Sequence, residues 1–312
     1  MPYRRNGSAT PVRLIDECGA TVTATGYSRG VLTSAQLDAY LERIGLDRPR
    51  KPSLRALAAI HRSHLAVVPF ENLDIHLGRP VRLDREATFD KLVRRRRGGF
   101  CFEQNGVLAH ALEALGFEVR RLRGAVNRDR SGDQEWFNHM PLLVRLEQGD
   151  FLADVGLGSG FGEPLPLAEG VHRVGSFNFS LRRLPGGLWR CAVDSRVQDL
   201  AFDFDPAPRR IEDFATKCRE LETSPESGFV KTMTVQRTGH DRMTVLRSRS
   251  LTVYDPTLPE GRSNRTVDDR EDFAALLTGE FRLGLNEEEI GRLWSLAGQQ
   301  HERHLAEQAA TK

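Results

Sequence analysis

Cysteine is scarce in this 312-residue chain, and its four copies (Cys18, Cys101, Cys191, Cys218) lie far apart. No C-x-x-C pair and no Cys/His cluster occurs, which argues against a zinc site, and no metal is expected. A chain of this length buries a core without disulfide staples. The four are read as free thiols, and the expected location is the reducing cytoplasm. No apolar run approaches the roughly 20 residues needed to span a bilayer. The N-terminus lacks the apolar h-region of a signal peptide, so none is expected. An excess of one charge is missing too, since 45 Lys and Arg against 43 Asp and Glu leave a net +2. That balance gives no general attraction to nucleic acid or to an acidic membrane. Internal repeats are absent. The loop Gly156-Leu157-Gly158-Ser159-Gly160-Phe161-Gly162 is not a phosphate-binding G-x-x-x-x-G-K-[ST] motif. No helical pattern follows it, as a dinucleotide fold would need.

What is present suits a globular protein: 39% hydrophobic and 28% charged residues. The length fits two domains or three small ones. Residues 1–30 show no sustained periodicity and read as an extension. Order begins at Thr33-Ser34-Ala35-Gln36, a capping-box pattern. Leu37, Tyr40, Leu41 and Ile44 follow on one helical face, and Gly45 supplies the stop. A second helix starts at Ser53 and carries His61 and His64 three residues apart. With no third ligand in view, these read as histidines at a helix edge. Pro69-Phe70-Glu71-Asn72 looks like a packed turn. A third helix, Asp84 to Arg95, leads into Arg94-Arg95-Arg96-Arg97, read as cations favouring a helix C-terminus.

From Phe117 the texture becomes strand-like, with Phe117–Val126, alternation from Met140 to Leu146, a turn at Gln148-Gly149-Asp150, and Phe151–Val155. Further strands are expected at Phe177–Leu184 and Leu188–Val193, joined by Pro185-Gly186-Gly187. After Ile211 the pattern mixes. A short helix precedes Thr223-Ser224-Pro225-Glu226-Ser227. Strands follow at Phe229–Arg237 and Arg242–Tyr254. Helices are expected near Asp269–Leu277 and Glu287–Leu296, the latter capped by Asn286, with a frayed polar tail after Gly298. The boundaries drawn are an extension (1–30), a helical bundle (31–116), a small β-barrel (117–210) and a mixed α/β unit (211–312). The fold class is α+β.

One stretch organises the rest: Arg97-Gly98-Gly99-Phe100-Cys101-Phe102-Glu103-Gln104-Asn105. It delivers a cysteine to the start of a helix whose apolar positions are Val107, Leu108, Ala111, Leu112 and Leu115. Free N–H groups and partial positive charge at a helix N-terminus ease thiol ionisation, and thiolate is the nucleophilic form. Arg97 and Glu103 flank it and read as a structural ion pair. A cysteine nucleophile needs a base, and the base an orienting group. His110 lies about 13 Å along the same helix axis at about 1.5 Å per residue and is out of reach. His301 and His304 fall in the polar tail. His139 opens an apolar strand, and Asp154 sits among Leu152, Ala153 and Val155, where a carboxylate wants a partner. Strand parity puts these two on one face. A turn at Gln148-Gly149 would nevertheless pair Asp154 with Leu143, so direct opposition needs another turn or a bulge.

The chain resembles the arylamine N-acetyltransferase family. The resemblance rests on Leu41-Glu42-Arg43-Ile44-Gly45, Val68-Pro69-Phe70-Glu71-Asn72-Leu73, Arg96-Arg97-Gly98-Gly99-Phe100-Cys101, Asn138-His139-Met140 and Asp154-Val155-Gly156-Leu157-Gly158. Ile211-Glu212-Asp213-Phe214 and Thr223-Ser224-Pro225-Glu226-Ser227-Gly228-Phe229 extend it over about residues 37–297. It implies a helical bundle, a small β-barrel and a C-terminal α/β lid, with a core like that of papain- and transglutaminase-type enzymes. It implies a Cys101-His139-Asp154 triad. Acetyl-CoA would be the acyl donor, and arylamines, hydrazines or arylhydroxylamines the acceptors, as in xenobiotic metabolism. The coenzyme is expected between barrel and lid, near Gly156, Gly158, Thr223, Ser224 and Ser227. Phe70 and Leu157 are expected to wall the acceptor pocket. Many bacterial members carry an aromatic residue where this chain has Leu157. An amide synthase of the same fold shares the triad, and a cysteine hydrolase shares the Cys-His-Asp order.

Overall fold

The first helix forms where local chemistry dictates it. In α1 (Ser34–Ile44), the Gln36 N–H donates to Thr33 Oγ1 at 3.2 Å and the Thr33 N–H donates to Gln36 Oε1 at 3.0 Å. Gly45 then closes the helix at φ 71°. These are the first elements of a computed structural model that describes residues 31–310. The 1–30 extension and Cys18 lie outside the described residues. Helix α2 (Leu54–Val67), capped by Ser53, packs its apolar face with that of α1. The Pro69–Asn72 segment is not a turn: Phe70–Glu71 form the short strand β1, and α3 (Leu73–His76) follows. The helix expected from Asp84 to Arg95 is α4 (Arg85–Phe89) continued by a π-turn over Asp90–Arg94. Helix α5 (Cys101–Ala114) is central, with every residue from Cys101 to Ala109 buried.

An eight-stranded antiparallel sheet follows. Its strands are β2 (Glu118–Val126), β3 (Leu142–Leu146), β4 (Gly149–Ala153), β5 (Leu165–Pro166), β6 (Gly170–Val174), β7 (Phe177–Arg183), β8 (Trp189–Ala192) and β9 (Ala201–Arg209). The spatial order is β5-β4-β3-β2-β9-β8-β7-β6. The outer strands β5 and β6 are consecutive in the chain, separated only by residues 167–169. So short a link spans at most about 14 Å, so the sheet curls until its unpaired edges come close, nearly closing a barrel. Phenylalanines Phe161, Phe179, Phe202 and Phe204 fill its interior. After β2 a single helical turn, α6 (Arg128–Ser131), and a 3-10 turn over Asp133–Glu135 lead toward His139.

The β3–β4 hairpin turns at Glu147-Gln148, one residue earlier than expected. Leu143 therefore faces Leu152, not Asp154. Extending that register sets Asp154 across from Pro141, with His139 two residues further along the same face. The parity argument holds, and the offset is absorbed because both residues lie beyond the last ladder pair.

The remaining chain builds a second sheet, ordered β1-β10-β11-β12-β13. It comprises β10 (Thr234–Thr238), β11 (Met243–Arg247), β12 (Ser250–Tyr254) and β13 (Arg262–Thr266) with β1. Helices α7 (Ala215–Thr223) and α8 (Gly228–Lys231) precede it. Helices α9 (Arg270–Ala275) and α10 (Glu287–Ala310) cover it. Two expected strands divide. The Phe229–Arg237 stretch begins as α8, and Arg242–Tyr254 folds back at Ser248, whose φ is 50°. The expected fray after Gly298 is helix, because α10 continues to Ala310 with Gln300 buried beneath it. Among the described residues, no helix is long and apolar enough to cross a membrane. No group of three or more His, Cys, Asp or Glu there is placed to hold a metal.

Candidate active site

Cys101 occupies the first turn of α5, at the point where bundle, barrel and second sheet meet. The glycines before it are needed for close packing. A Cβ on Gly98 would lie 2.1 Å from the Pro69 carbonyl oxygen. Glu103 caps the helix by accepting the Phe100 N–H at 3.2 Å. The expected Arg97–Glu103 pair does not form. Lys91 lies 2.8 Å from Glu103 and 3.0 Å from Asp74, while Arg97 lies 2.8 Å from Glu71 and 3.1 Å from Asp74. All five are buried, so Arg97 is a core residue rather than a solvated helix-end cation. Burial opposes the Lys91 charge, but Glu103, Glu71 and Asp74 outweigh it and raise its pKa. Burial pushes the Glu103 carboxyl up to about 7, against the pull of Lys91.

His139 reaches the same point from the segment between β2 and β3. Asn138 fixes it. Asn138 Oδ1 accepts the Val126 N–H at 2.8 Å, and its Nδ2 donates to Val126 O at 3.1 Å and Glu135 Oε2 at 2.8 Å. The His139 ring lies edge-on to Phe202, 5.0 Å between centroids. Its Nε2–H donates to Asp154 Oδ2 at 2.5 Å, and both residues are buried. Asp154 thereby occupies one ring nitrogen and leaves Nδ1 for chemistry. Asp154 Oδ1 accepts the Asn105 amide at 2.8 Å and the Gly156 N–H at 2.9 Å. Burial alone would raise the Asp154 pKa. The neighbouring His139, with these hydrogen bonds, reverses that and holds it below the usual range.

Asn105 is the functional residue that sequence reasoning passed over. It stands four residues after Cys101, hence on the same helical face. Besides Asp154, its Nδ2 donates to Met140 O at 2.9 Å, and its Oδ1 accepts the Val155 N–H at 2.9 Å. One side chain on the cysteine helix thus holds the histidine and aspartate segments together. An amide four residues after the cysteine, on the same helical face, was the available signal.

The α2 histidines are not edge residues either. His61 Nε2 accepts the Asp154 N–H at 3.1 Å, and its ring stacks on Phe161 at 5.8 Å. His64 Nδ1 accepts the Tyr40 hydroxyl at 2.9 Å, and its Nε2–H donates to Gln104 Oε1 at 3.1 Å. Gln104 Nε2 in turn donates to Gly99 O at 2.8 Å, so α1 and α2 brace the turn before Cys101. Burial lowers His61 to about 4 and His64 to about 3, so both are neutral.

A cavity of about 360 Å³ opens onto this point, lined among others by Phe70, Cys101, His139, Gly156, Leu157 and Phe229. Phe70, Leu157 and Gly156 thus share one cavity with Cys101 and His139. Gly158 sits behind the wall, its carbonyl accepting the Thr238 hydroxyl at 2.5 Å. Thr223, Ser224 and Ser227 do not line the cavity. Their hydroxyls serve the ends of α7 and α8, donating to Arg219 O at 2.8 Å (Thr223) and Leu221 O at 2.7 Å (Ser227) and accepting the Glu226 N–H at 3.3 Å (Ser224). Their neighbours Gly228 and Phe229 reach the cavity instead.

A family model described as N-acetyltransferase matches residues 53–290. The arylamine N-acetyltransferase of Mycolicibacterium smegmatis is 38% identical over 246 residues, covering 77% of this chain and 87% of its own. This chain belongs to the arylamine N-acetyltransferase family. It is an acyltransferase with the α+β fold of that family. The Homo sapiens arylamine N-acetyltransferase 2 is 32% identical over 222 residues, 63% of this chain and 75% of its own. The Mycobacterium marinum arylamine N-acetyltransferase, solved in complex with CoA, superposes with a TM-score of 0.75 at 30% identity. That match covers 84% of this chain and 98% of the other.

Proposed function

We propose that this acyltransferase moves an acetyl group from acetyl-CoA, through a thioester on Cys101, to arylamines, hydrazines or arylhydroxylamines. The observation that carries the reading is that Cys101 and His139 line one cavity, with Asp154 bonded to His139 behind it. The coenzyme complex of the Mycobacterium marinum relative supports the donor. In this reading Gly156 meets the donor's reactive end. The α7–α8 connection bearing Thr223, Ser224 and Ser227 lies along its distal part. Phe70 and Leu157 then face the acceptor, where an aromatic ring stacks on Phe70.

The chemistry follows from the charges. Burial, and then the Asp154 charge, pushes the Cys101 thiol up, while the Met140 and Phe102 N–H groups act in the opposite sense. A lone thiolate is therefore disfavoured here. The nucleophile exists as an ion pair, with the Cys101 proton moved to His139 Nδ1 and the imidazolium charge balanced by Asp154. Sulfur attacks the thioester carbonyl, the bond to coenzyme sulfur breaks, and His139 protonates the departing thiolate. The amine then attacks the acetyl-enzyme, His139 takes its proton, and Cys101 leaves as thiolate. This is ping-pong transfer.

Intact mass spectrometry after mixing with acetyl-CoA tests it. An acetyl increment on Cys101, discharged by an arylamine or hydrazine, is the expected result. Labelling only by a carrier-bound acyl thioester would point to amide synthesis instead. Full transfer by Cys101→Ala would overturn the mechanism.

A further inference from the structure

Gln236 lies on the face of β10 turned toward the reaction cavity and is part of its lining. Val235, the next residue on the strand, points the other way into the core under α9 and α10. Gln236 is only 7% exposed, and its Oε1 is buried with no hydrogen-bond partner. Leaving such a group unpaired costs about 1–3 kcal/mol. The groups around it are already taken. Oε1 packs against the Gly158 Cα, where an added Cβ would stand 2.2 Å from it, and the Gly158 carbonyl is already bonded by Thr238. The cross-strand neighbours of Gln236 are Phe70 on one side and Val245 on the other, and neither side chain has a polar atom. Among the described residues, no protein group bonds the Gln236 amide. Nothing therefore holds its terminal torsion, which is broad for glutamine. A half-turn about it exchanges the amide oxygen and nitrogen, at a side chain that lines the cavity beside Phe70.

We propose that Gln236 is a specificity residue whose amide pairs with an amide or hydrazide group of a substrate. A primary amide offers one carbonyl acceptor and two N–H donors in a plane. Its complement is a group carrying both a carbonyl and an N–H, which a simple aryl amine lacks. Two substrates of the proposed reaction carry such a group: the amide-bearing arm of the acyl donor, and an acyl hydrazide acceptor. The inference rests on the acetyl-transfer reading for the identity of these substrates, though not for the existence of the unpaired amide.

The experiment compares Gln236→Met, which keeps size and removes the amide, with Gln236→Asn, which withdraws it by one methylene. Steady-state kinetics with acetyl-CoA would use aniline or benzoic hydrazide as acceptor. Calorimetric binding of coenzyme A and of benzoic hydrazide would accompany them. Loss of one buried hydrogen bond is expected to raise one KM about tenfold, with kcat largely kept. If the donor amide is the partner, the KM for acetyl-CoA rises and coenzyme A binds more weakly, whichever acceptor is used. If the hydrazide is the partner, its KM rises while that of aniline does not. Unchanged KM values and unchanged binding of both ligands, in a variant that melts with the parent, would overturn the proposal. Should the parent never acquire acetyl on Cys101, the transfer reading fails. The binding arm then still decides the role of Gln236.

Discussion

His61 Nε2 accepts the backbone N–H of Asp154 at 3.1 Å, from a helix 93 residues earlier in the chain. Its other nitrogen faces the Gly162 carbonyl at 3.4 Å, so one ring ties both ends of the glycine loop. Accepting from Asp154 requires Nε2 to be unprotonated. His64 has the same requirement at Nδ1, toward Tyr40.

Those requirements predict a pH dependence of stability. Burial holds His61 at about 4 and His64 at about 3, against 6.5 when free. Below pH 6.5 the unfolded chain takes up protons that the folded chain refuses. The histidine contribution to stability is thus complete above 6.5 and is lost as pH falls toward those values. Each ring costs about 1.4 kcal/mol at pH 5.5. Glu103, raised to about 7, acts in the opposite sense over the same range. The deciding quantity is therefore a difference. Urea unfolding at pH 7.5 and 5.5 should show a smaller acid loss in His61→Gln or His64→Gln than in the parent.

Gly156 marks where the aspartate strand touches the cysteine helix. A Cβ there would lie 2.5 Å from Cys101 Cα and 2.9 Å from Asn105 Nδ2. Backbone cannot yield as a flexible side-chain end can. Gly156→Ala should push the strand off the helix and misplace Asp154 and His139. A displacement on the order of 1 Å costs roughly 100-fold in rate. Single-turnover acetylation of Cys101 measures it directly, and a rate within a few-fold of the parent would refute the packing argument.

Asn105→Leu removes the amide that serves Asp154, Met140 and Val155 together. Losing one charge-assisted hydrogen bond costs about 1.5–3 kcal/mol, hence roughly ten- to hundredfold in acetylation rate. Asp154→Asn is expected to be worse, on the order of 10³- to 10⁴-fold, because the histidine loses both its orienting tautomer partner and its counter-charge. Alkylation of Cys101 by iodoacetamide across pH reads the ion pair without any substrate. Its acid limb should vanish in Asp154→Asn and persist, with reduced amplitude, in Asn105→Leu.

Lys91→Met tests the buried charge cluster. It leaves Glu103 and Asp74 without their ammonium partner inside the core. Breaking such a pair typically costs about 3–5 kcal/mol. A shift in the denaturant midpoint of the corresponding size is expected, together with slower Cys101 acetylation, since Glu103 also caps the helix start. A variant as stable as the parent would show that the cluster contributes little.

Local signals were legible in the sequence and distant ones were not. The Thr33–Gln36 box, the Gly45 stop and the arrival of Cys101 at a helix start depend on neighbours a few residues apart. Phe70–Glu71 became a strand only because β10 lies more than 160 residues away. Arg97 gave no sign of burial until Glu71 and Asp74 folded against it. His61 and His64 resembled edge histidines because their partners, Asp154 and Gln104, come from other elements. The hairpin turn was misplaced by one residue, which parity tolerated and direct opposition did not. Of the expected site, Phe70, Leu157 and Gly156 were found at the cavity. Thr223, Ser224 and Ser227 had hydroxyls already used by the helix ends they sit in, a use of serine and threonine as common as ligand binding.

Phe70 pairs with Gln236 on one side and bridges Gly99 in parallel on the other. The Glu71 N–H donates to Gly99 O at 3.0 Å, and the Gly99 N–H to Pro69 O at 3.4 Å. The outermost rung of the second sheet is therefore the turn that carries Cys101. The architecture is not modular: cutting after residue 210 would not free a minimal catalytic core, since it strips that turn of the sheet that anchors it. Grafting a foreign C-terminal unit meets the same obstacle unless it supplies a strand in the β10 register. Substrate entry must likewise spare these main-chain bonds, and with them the Asn72 side chain that ties α8 to the same rung through Phe229 O and Thr232 O, at 2.9 Å each.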